Sequence, residues 1–384
     1  MLDAATRARD FPALTGIVYL NTAAEGIPPP QVGEGLSEYF RDKQLGMDGR
    51  LRHAAVHTEA RRLAAALIGL DADDVAICSC SSEAFNLASL ALRLRDGDEV
   101  VVTDLDFPSS VTPFLQNACP ATVKVWRSRA GSLLPDDLVA LLSPRTRLVS
   151  LPLVSFYNGF RAAVPAVAEV VHRHSPALLA VDVTQGLGRI PLDRDSGALV
   201  GADLIVSSTH KWLLGPHGGG IVGVPPRRRD AWTVPAGGWF NVHDAFGAER
   251  FERAESLPGA ASFAVGMPNY PALYAIRGAL EYLSGVGVAA IDRRAAPLVS
   301  ECLAGLRALG VDLLSPTDPA QLAGILAFRH PRAELVHRFL HDRQIHLMHH
   351  AGRLRVAFHG YNTEADVATF LRELAAALAS HGPL

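Results

Sequence analysis

Three lysines occur in this chain, Lys43, Lys124 and Lys211, and one of them sits in unusual surroundings. Lys211 follows the apolar run from Leu204 and the polar stretch Ser207-Ser208-Thr209-His210, and precedes Gly215-Pro216-His217-Gly218-Gly219-Gly220. A lysine held in a partly dry site loses basicity and becomes an amine nucleophile. The alternative is a surface lysine whose head reaches water along its apolar stem. Asp182 lies inside the run ALLAVDV, where a carboxylate is costly unless a cation or strong donor meets it. Gln185 follows three residues later. Ser81-Ser82-Glu83 stands where a strand runs into a helix, a place that binds phosphate through free backbone N–H groups or, more simply, where Ser82 caps the helix. Phe107 stands among polar residues at another strand end, set either to stack on a flat ring or to join the core.

Other motifs carry less. Gly218 to Gly223 matches G-x-G-x-x-G literally, but a strand follows it where a dinucleotide fingerprint opens a helix. His53 and His57 are spaced i, i+4 without the glutamate of a zinc protease helix, so they belong to a solvated or structural face. Arg227-Arg228-Arg229 reads as a solvated loop. His349-His350 are residues of a pocket or of a loop in the C-terminal region. Cys78 and Cys80 alternate along a strand and read as two thiols on one face, buried as small hydrophobes. With Cys119 and Cys302 they are too few for a disulfide scaffold.

The elements that place these residues alternate. Strands are predicted at Val75–Ser79, Glu99–Thr103, Thr122–Trp126, Leu148–Val154, Leu178–Val183, Leu204–Ser207 and Gly220–Val224. Helices are predicted at 31–45, 53–68, 83–94, 109–117, 135–142, 164–174 and 270–283. Strands alternating with helices imply a mostly parallel sheet covered on both faces, and ligands of such sheets lie beyond the carboxyl ends of the strands. From Ala290 the pattern reads helix, strand, strand, helix, strand, strand, helix, and the last helix opens with Thr363 and Asp366 in a capping-box-like start. Residues 1–28 form an N-terminal arm that stops at a proline run, 29–270 a large domain, 271–289 a connecting helix and 290–384 a small α/β domain.

Composition narrows the partners. With 49% hydrophobic and 20% charged residues the chain is an ordinary globular protein. A net charge of −3 gives no electrostatic reason for nucleic acid or an anionic membrane. No apolar run approaches the roughly 20 residues of a membrane span, and the first residues carry no secretory signal. The expected location is the cytosol.

These residues together resemble the class V aminotransferase family, a branch of the fold-type-I enzymes that use pyridoxal 5'-phosphate (PLP) and include cysteine desulfurases, isopenicillin N epimerase and kynureninase. SSTHKWLLGPHGGG, AVDVTQ and CSSEAFNLAS carry the resemblance, which runs from VYLNTAAEG to RVAFHGYNTEADV. It implies a fold-type-I α/β architecture, with a mostly parallel seven-stranded sheet in the large domain and a smaller C-terminal α/β domain. It implies that Lys211 bonds the cofactor covalently and that Asp182 holds the pyridine nitrogen protonated. Gln185 would donate to the ring O3′, Phe107 would stack on the ring, and Ser81, Ser82, Ser208 and His210 would cup the phosphate. Met267 stands where relatives often place a threonine that reaches a neighbouring subunit's phosphate. Arg355, with Arg353 as competitor, would grip a substrate carboxylate, and Ala24, Asn158, Trp239 and His350 would line the substrate pocket, with no metal. A homodimer acting on an amino acid is implied. The chain departs from desulfurases at one point. His349-His350 is followed by Ala351-Gly352, and no cysteine follows Cys302, so persulfide transfer through a cysteine there is not expected. Elimination from a cysteine conjugate is the leading expectation, ahead of transamination, epimerisation and decarboxylating deamination.

Overall fold

The computed structural model describes residues 1–381. After the short arm strand β1 (Val18–Tyr19), the chain forms β2 (Val75–Cys78), β3 (Glu99–Thr103), β4 (Thr122–Trp126), β5 (Thr146–Pro152), β6 (Leu178–Asp182), β7 (Leu204–Ser208) and β8 (Gly220–Gly223). The last seven build one sheet in the order β2-β8-β7-β6-β5-β3-β4. Only β8 runs antiparallel to its neighbours, so the other strands all deliver their carboxyl ends to one edge. β6 and β7 are buried almost throughout, the continuous apolar pattern of strands covered on both faces. The fold class expected from the sequence is the one observed.

The covering helices are α1 (Ala4–Asp10), α2 (Pro30–Lys43), α3 (Gly49–Ile68), α4 (Ser81–Ala91), α5 (Pro108–Val111), α6 (Pro135–Val139) and α7 (Val164–His174), with α8 (Tyr270–Val286) leading into α9 (Val288–Ala308). One apolar layer lies between the sheet and α3, α7 and α8, and a second between the opposite face and α4. The C-terminal part adds β9 (Asp312–Leu313), β10 (Ile325–Arg329), α10 (Ala333–His341), β11 (Ile345–His346), β12 (Met348–His350), β13 (Arg353–Ala357) and α11 (Glu364–His381). Four of these strands form an antiparallel sheet in the order β12-β13-β10-β9 around its own core. β1 pairs in parallel with β11. Asn21 also bridges Ala357, so the arm is stitched to the C-terminal part.

Several local expectations are corrected. The helix expected over 109–117 stops at Val111 and continues only as a tight turn through Phe114. Pro113 cannot donate its N–H and crowds the preceding turn. The C-terminal part has three strands after α10 where two were expected, because β11 turns away to pair with β1. Cys78 and Cys80 do not share a face. The strand ends at Cys78, which is buried, and Cys80 is exposed and serves as the N-cap of α4. Its Sγ accepts the Glu83 N–H at 3.4 Å, so Cys80 rather than Ser82 caps the helix. The cap of α11 is reciprocal as expected: Thr363 N–H donates to Asp366 at 2.9 Å and Asp366 N–H to Thr363 Oγ1 at 3.2 Å.

Candidate active site

At the carboxyl ends of β5, β6 and β7 lies a cavity of about 190 Å³, lined by Ser81, Ser82, Phe107, Asp182, Gln185, Ser208, His210 and Lys211 among others. Eight of the residues expected for cofactor binding therefore converge from four separate stretches of chain. Asp182 is the last residue of β6 and is buried. Its Oδ1 accepts the Thr184 N–H at 2.8 Å. Burial pushes its carboxyl up from the ordinary value, opposed by that hydrogen bond and by the charge of Lys211. Lys211 is the only cation among the described residues whose charge bears on it. Burial pushes the Lys211 amine down; Asp182 resists and Arg355 adds to the effect. A buried carboxylate without an ion-pair partner and an amine held below its usual basicity are the two groups that a protonated heteroaromatic ring and a carbonyl carbon would satisfy.

The turn after β7 sets the lysine. Leu214 adopts φ +56°, a left-handed conformation that strains a branched residue. Its N–H closes on the Lys211 carbonyl at 3.0 Å. Gly26 of the arm passes so close that a Cβ there would stand 2.0 Å from the Lys211 carbonyl oxygen. The Gly26 N–H donates to His210 O at 2.9 Å, so the arm braces the lysine segment from outside. Phe107 is half-exposed, with the Lys211 Nζ 5.0 Å from its ring centre and the Phe156 ring edge-on at 5.0 Å. Behind Phe107, Asp106 accepts from Thr103 N–H at 2.8 Å and from Ser110 Oγ at 3.2 Å. Burial and the nearby Asp182 push the Asp106 carboxyl up to about 7.

Gln185 is held at both ends of its amide. Its Oε1 accepts the Trp212 Nε1–H at 2.6 Å, and one Nε2 hydrogen goes to Ala23 O at 3.0 Å. The second Nε2 hydrogen remains for the cavity. Ser81 and Ser82 occupy the first turn of α4, where backbone N–H groups lack helical partners. Ser208 Oγ donates to Ser81 Oγ at 2.9 Å, and Ser208 N–H to Thr184 Oγ1 at 3.0 Å. Ser109 Oγ is buried at the cavity without a partner, a hydroxyl waiting for a ligand. His210 is half-buried, stacked on His217 at 4.5 Å and pushed down to about 4 by burial. His217 bonds Glu25 at 3.1 Å, and the ligand atoms of these three residues lie within 4.8 Å of one another at the rim. The donor set at one end, the aromatic face and the lone carboxylate at the other fit a phosphorylated pyridine aldehyde.

Arg355 comes from β13 and is buried. Its Nη1 donates to Phe156 O at 2.8 Å, its Nε has no partner, and no carboxylate pairs with it among the described residues. Burial and Arg353 push it down to about 10. Its charge reaches Lys211, whereas that of Arg353 is not felt there. This favours Arg355 over Arg353 as the group facing the lysine.

The remaining expected residues are elsewhere. Asn158 is buried and saturated: Nδ2 donates to Gly131 O at 2.7 Å and Leu314 O at 3.2 Å, and Oδ1 accepts the Phe160 N–H at 3.0 Å. It pins a loop with both of its Nδ2 hydrogens committed. Met267 is exposed and lines a separate cavity of about 110 Å³ with Glu83, Gly218 and Asn269. Trp239 packs on Phe240 and Phe246 in an outer loop. Ala24 sits beside the Ala23 carbonyl that holds Gln185, and His350 is exposed on β12 opposite Arg353. Sequence reasoning missed Thr184, Ser109, Gly26 and the hydrogen bond of Trp212, all of which act through folded geometry.

Comparison with known proteins gives the family and the fold. The family model for class-V aminotransferases matches residues 18–370. An uncharacterized aminotransferase, YcbU, of Bacillus subtilis (strain 168) is 28% identical over 95% of this chain and 96% of its own length. A probable cysteine desulfurase of Methanothermobacter thermautotrophicus is 26% identical over 94% of each chain. The fold superposes on an apo cysteine desulfurase from Thermococcus onnurineus NA1 with a TM-score of 0.87, at 22% identity and 99% coverage of both chains. It superposes on the cystine C-S lyase C-DES, solved with its product cysteine persulfide, with a TM-score of 0.85, at 23% identity over 95% of this chain and 99% of that one. The chain belongs to the class-V aminotransferase family and is a PLP-dependent enzyme.

Proposed function

We propose that this enzyme cleaves the C–S bond of a cysteine conjugate by β-elimination, releasing a thiol, pyruvate and ammonia. The observation that carries the reading is the site that joins Lys211 to Asp182 and Arg355 with no thiol on β12 or β13. The connection between those strands is the two-residue turn Ala351-Gly352, both at positive φ, a tight hairpin with no length for a mobile cysteine-bearing loop. Of the four cysteines, Cys80 alone lines the cavity, at the cap of α4.

PLP, when bound, supplies the electron sink for the pair released at Cα. The protein does the rest. Arg355 holds the α-carboxylate with its free N–H groups. The Lys211 amine, made less basic by burial, takes the Cα proton. The thiolate then leaves from Cβ and is protonated, and water converts the remaining enamine to pyruvate and ammonia, so each conjugate consumes one water and yields three products. Asp182 would keep the pyridine nitrogen charged, and Phe107, with Phe156 edge-on to it, would cover the ring from water.

The same reading includes a homodimer. Supporting it, α2, α3 and the turn between them expose Leu36, Phe40, Leu45, Met47 and Leu51, and Phe246 and Phe251 are exposed in the outer loop. Transamination is the second reading, because it shares every residue up to loss of the Cα proton. A panel of amino acids and S-substituted cysteines, read for pyruvate, ammonia, thiol, aldehyde and keto acid, separates the two. Equimolar thiol, pyruvate and ammonia support elimination. A keto acid that retains the substrate side chain replaces it with transamination, and alanine with persulfide replaces it with desulfuration.

A further inference from the structure

A row of cations lies along one face of the C-terminal sheet, next to the cavity. Arg353 and Arg355 alternate on β13 and so share a face. Arg353 stands in register with Arg329 of β10 on one side and with His350 of β12 on the other, which places these side chains on that same face. The face is turned toward the loop that follows β5, because both β13 arginines donate to it: Arg353 Nη1 to Tyr157 O at 2.5 Å and Arg355 Nη1 to Phe156 O at 2.8 Å. Phe156 lines the Lys211 cavity, so Arg355, bonded to its carbonyl, adjoins the site through that residue.

The arginines are held, but not neutralised. The Arg353 guanidinium lies 4.3 Å over the Tyr157 ring. Arg329 is exposed and donates to Tyr157 Oη at 3.0 Å. Neither has a carboxylate partner among the described residues, whereas most arginines of this chain do. Tyr157 thus acts as a platform that orients two guanidinium groups with no countercharge. An unpaired arginine, nearly buried, is a costly feature for the fold to keep, and three neighbouring ones repel. An anion from outside resolves that arrangement.

We propose that Arg353 and Arg329 form a subsite for a second anionic group, carried on the side chain of the amino-acid substrate. This rests on the reading of Arg355 as the α-carboxylate site. Two residues along a strand advance about 6.6 Å, which suits a second carboxylate separated from the first by four chain atoms, as in S-carboxymethyl-cysteine, and exceeds the reach of aspartate. The substrate class is therefore a cysteine conjugate whose thiol portion is acidic.

The test is a titration of the resting holoenzyme, reading its visible band, with S-carboxymethyl-L-cysteine and with its neutral isostere S-carbamoylmethyl-L-cysteine. The acid is expected to half-saturate at a concentration lower by about tenfold or more, the scale of one charge-assisted hydrogen bond. Arg353→Gln is expected to bring the ratio near one, and Arg353→Lys to restore part of it. Should Arg353→Gln fold poorly, Arg329→Gln, at an exposed position, must still narrow the ratio. Equal half-saturation by both compounds in the native enzyme, or a ratio that survives both glutamine variants, overturns the subsite while leaving the amino-acid reading intact. A band that responds to neither compound nor to any other amino acid overturns that reading and the subsite together.

Discussion

Replacing Arg355 by methionine should make the enzyme more stable and unable to bind its substrate. Arg355 is 4% exposed and has no acidic partner among the described residues. An arginine in water titrates at 12.5; here burial and Arg353 push it down to about 10. At neutral pH the group stays charged, so folding carries the cost of that gap, about 3.5 kcal/mol at roughly 1.4 kcal/mol per tenfold. The bond to Phe156 O returns about 1.5–2 kcal/mol of it. Methionine matches the stem and removes the charge, which leaves a gain of about 1.5–2 kcal/mol and a rise of a few degrees in Tm. The difference is fully present below pH 10 and shrinks as pH rises from there toward 12.5, because the native cation is then losing its proton. Thermal unfolding of the two holoenzymes at pH 7 measures the first effect. Titration with an amino acid, followed in the visible band, measures the second. Arg355→Lys, which keeps the charge and loses the fork, should lower kcat/KM by about 10- to 100-fold without changing the resting spectrum. A methionine variant that is less stable than the native protein, or one that binds amino acids as well, refutes the argument: the arginine would then be a structural tie rather than a substrate anchor.

Lys211→Ala should abolish turnover, and borohydride should no longer fix the cofactor to the chain. Lys124 is committed to Glu99 at 2.7 Å and Lys43 lies at the end of α2, so cofactor fixed in that variant would mean the wrong lysine has been chosen. Asp182→Ala should weaken PLP binding and cost about a hundredfold or more in rate, since loss of the carboxylate lowers the ring-nitrogen pKa by two or more units; near-native turnover would sink that role. Glu99 is held down to about 2 by Lys124, then by Ser143 and Thr146. A depressed carboxyl contributes stability that is present above about 4.5 and lost as the pH falls toward 2. Glu99→Gln should therefore cost about 2–3 kcal/mol at pH 7 and flatten the acid limb of a Tm-against-pH curve, whereas an unchanged acid limb would show that the ion pair is idle.

The large sheet was legible because its inner strands are covered on both faces, although the edge strand Thr122–Trp126 is largely open. Glu99–Thr103 and Thr122–Trp126 run as predicted, and so does the helix Val164–His174, bounded by the proline at its start and the basic turn at its end. Asp182 and Lys211 were legible for the converse reason: a charge inside or beside an apolar run costs energy and so declares a purpose. What stayed hidden depends on partners far apart in sequence. β11 is two residues long and owes its existence to β1. Asn158 looks available in sequence and is spent on carbonyls of Gly131 and Leu314. Gln185 is oriented by the Trp212 indole, which sequence alone shows only as an apolar neighbour of the lysine. The row Arg329, Arg353 and Arg355 appears only when β10 and β13 are laid in register.

The central claim is that Lys211 removes the Cα proton of an amino acid held by Arg355. Solvent exchange at Cα tests it without any need for the natural leaving group. The holoenzyme incubated in D₂O with L-α-aminobutyrate, which has nothing to eliminate, should replace the Cα hydrogen by deuterium, seen as loss of that proton's NMR signal. Lys211→Ala, reconstituted with PLP, should leave it untouched. No exchange by the native enzyme with any amino acid, or exchange that persists in Lys211→Ala, would contradict the account.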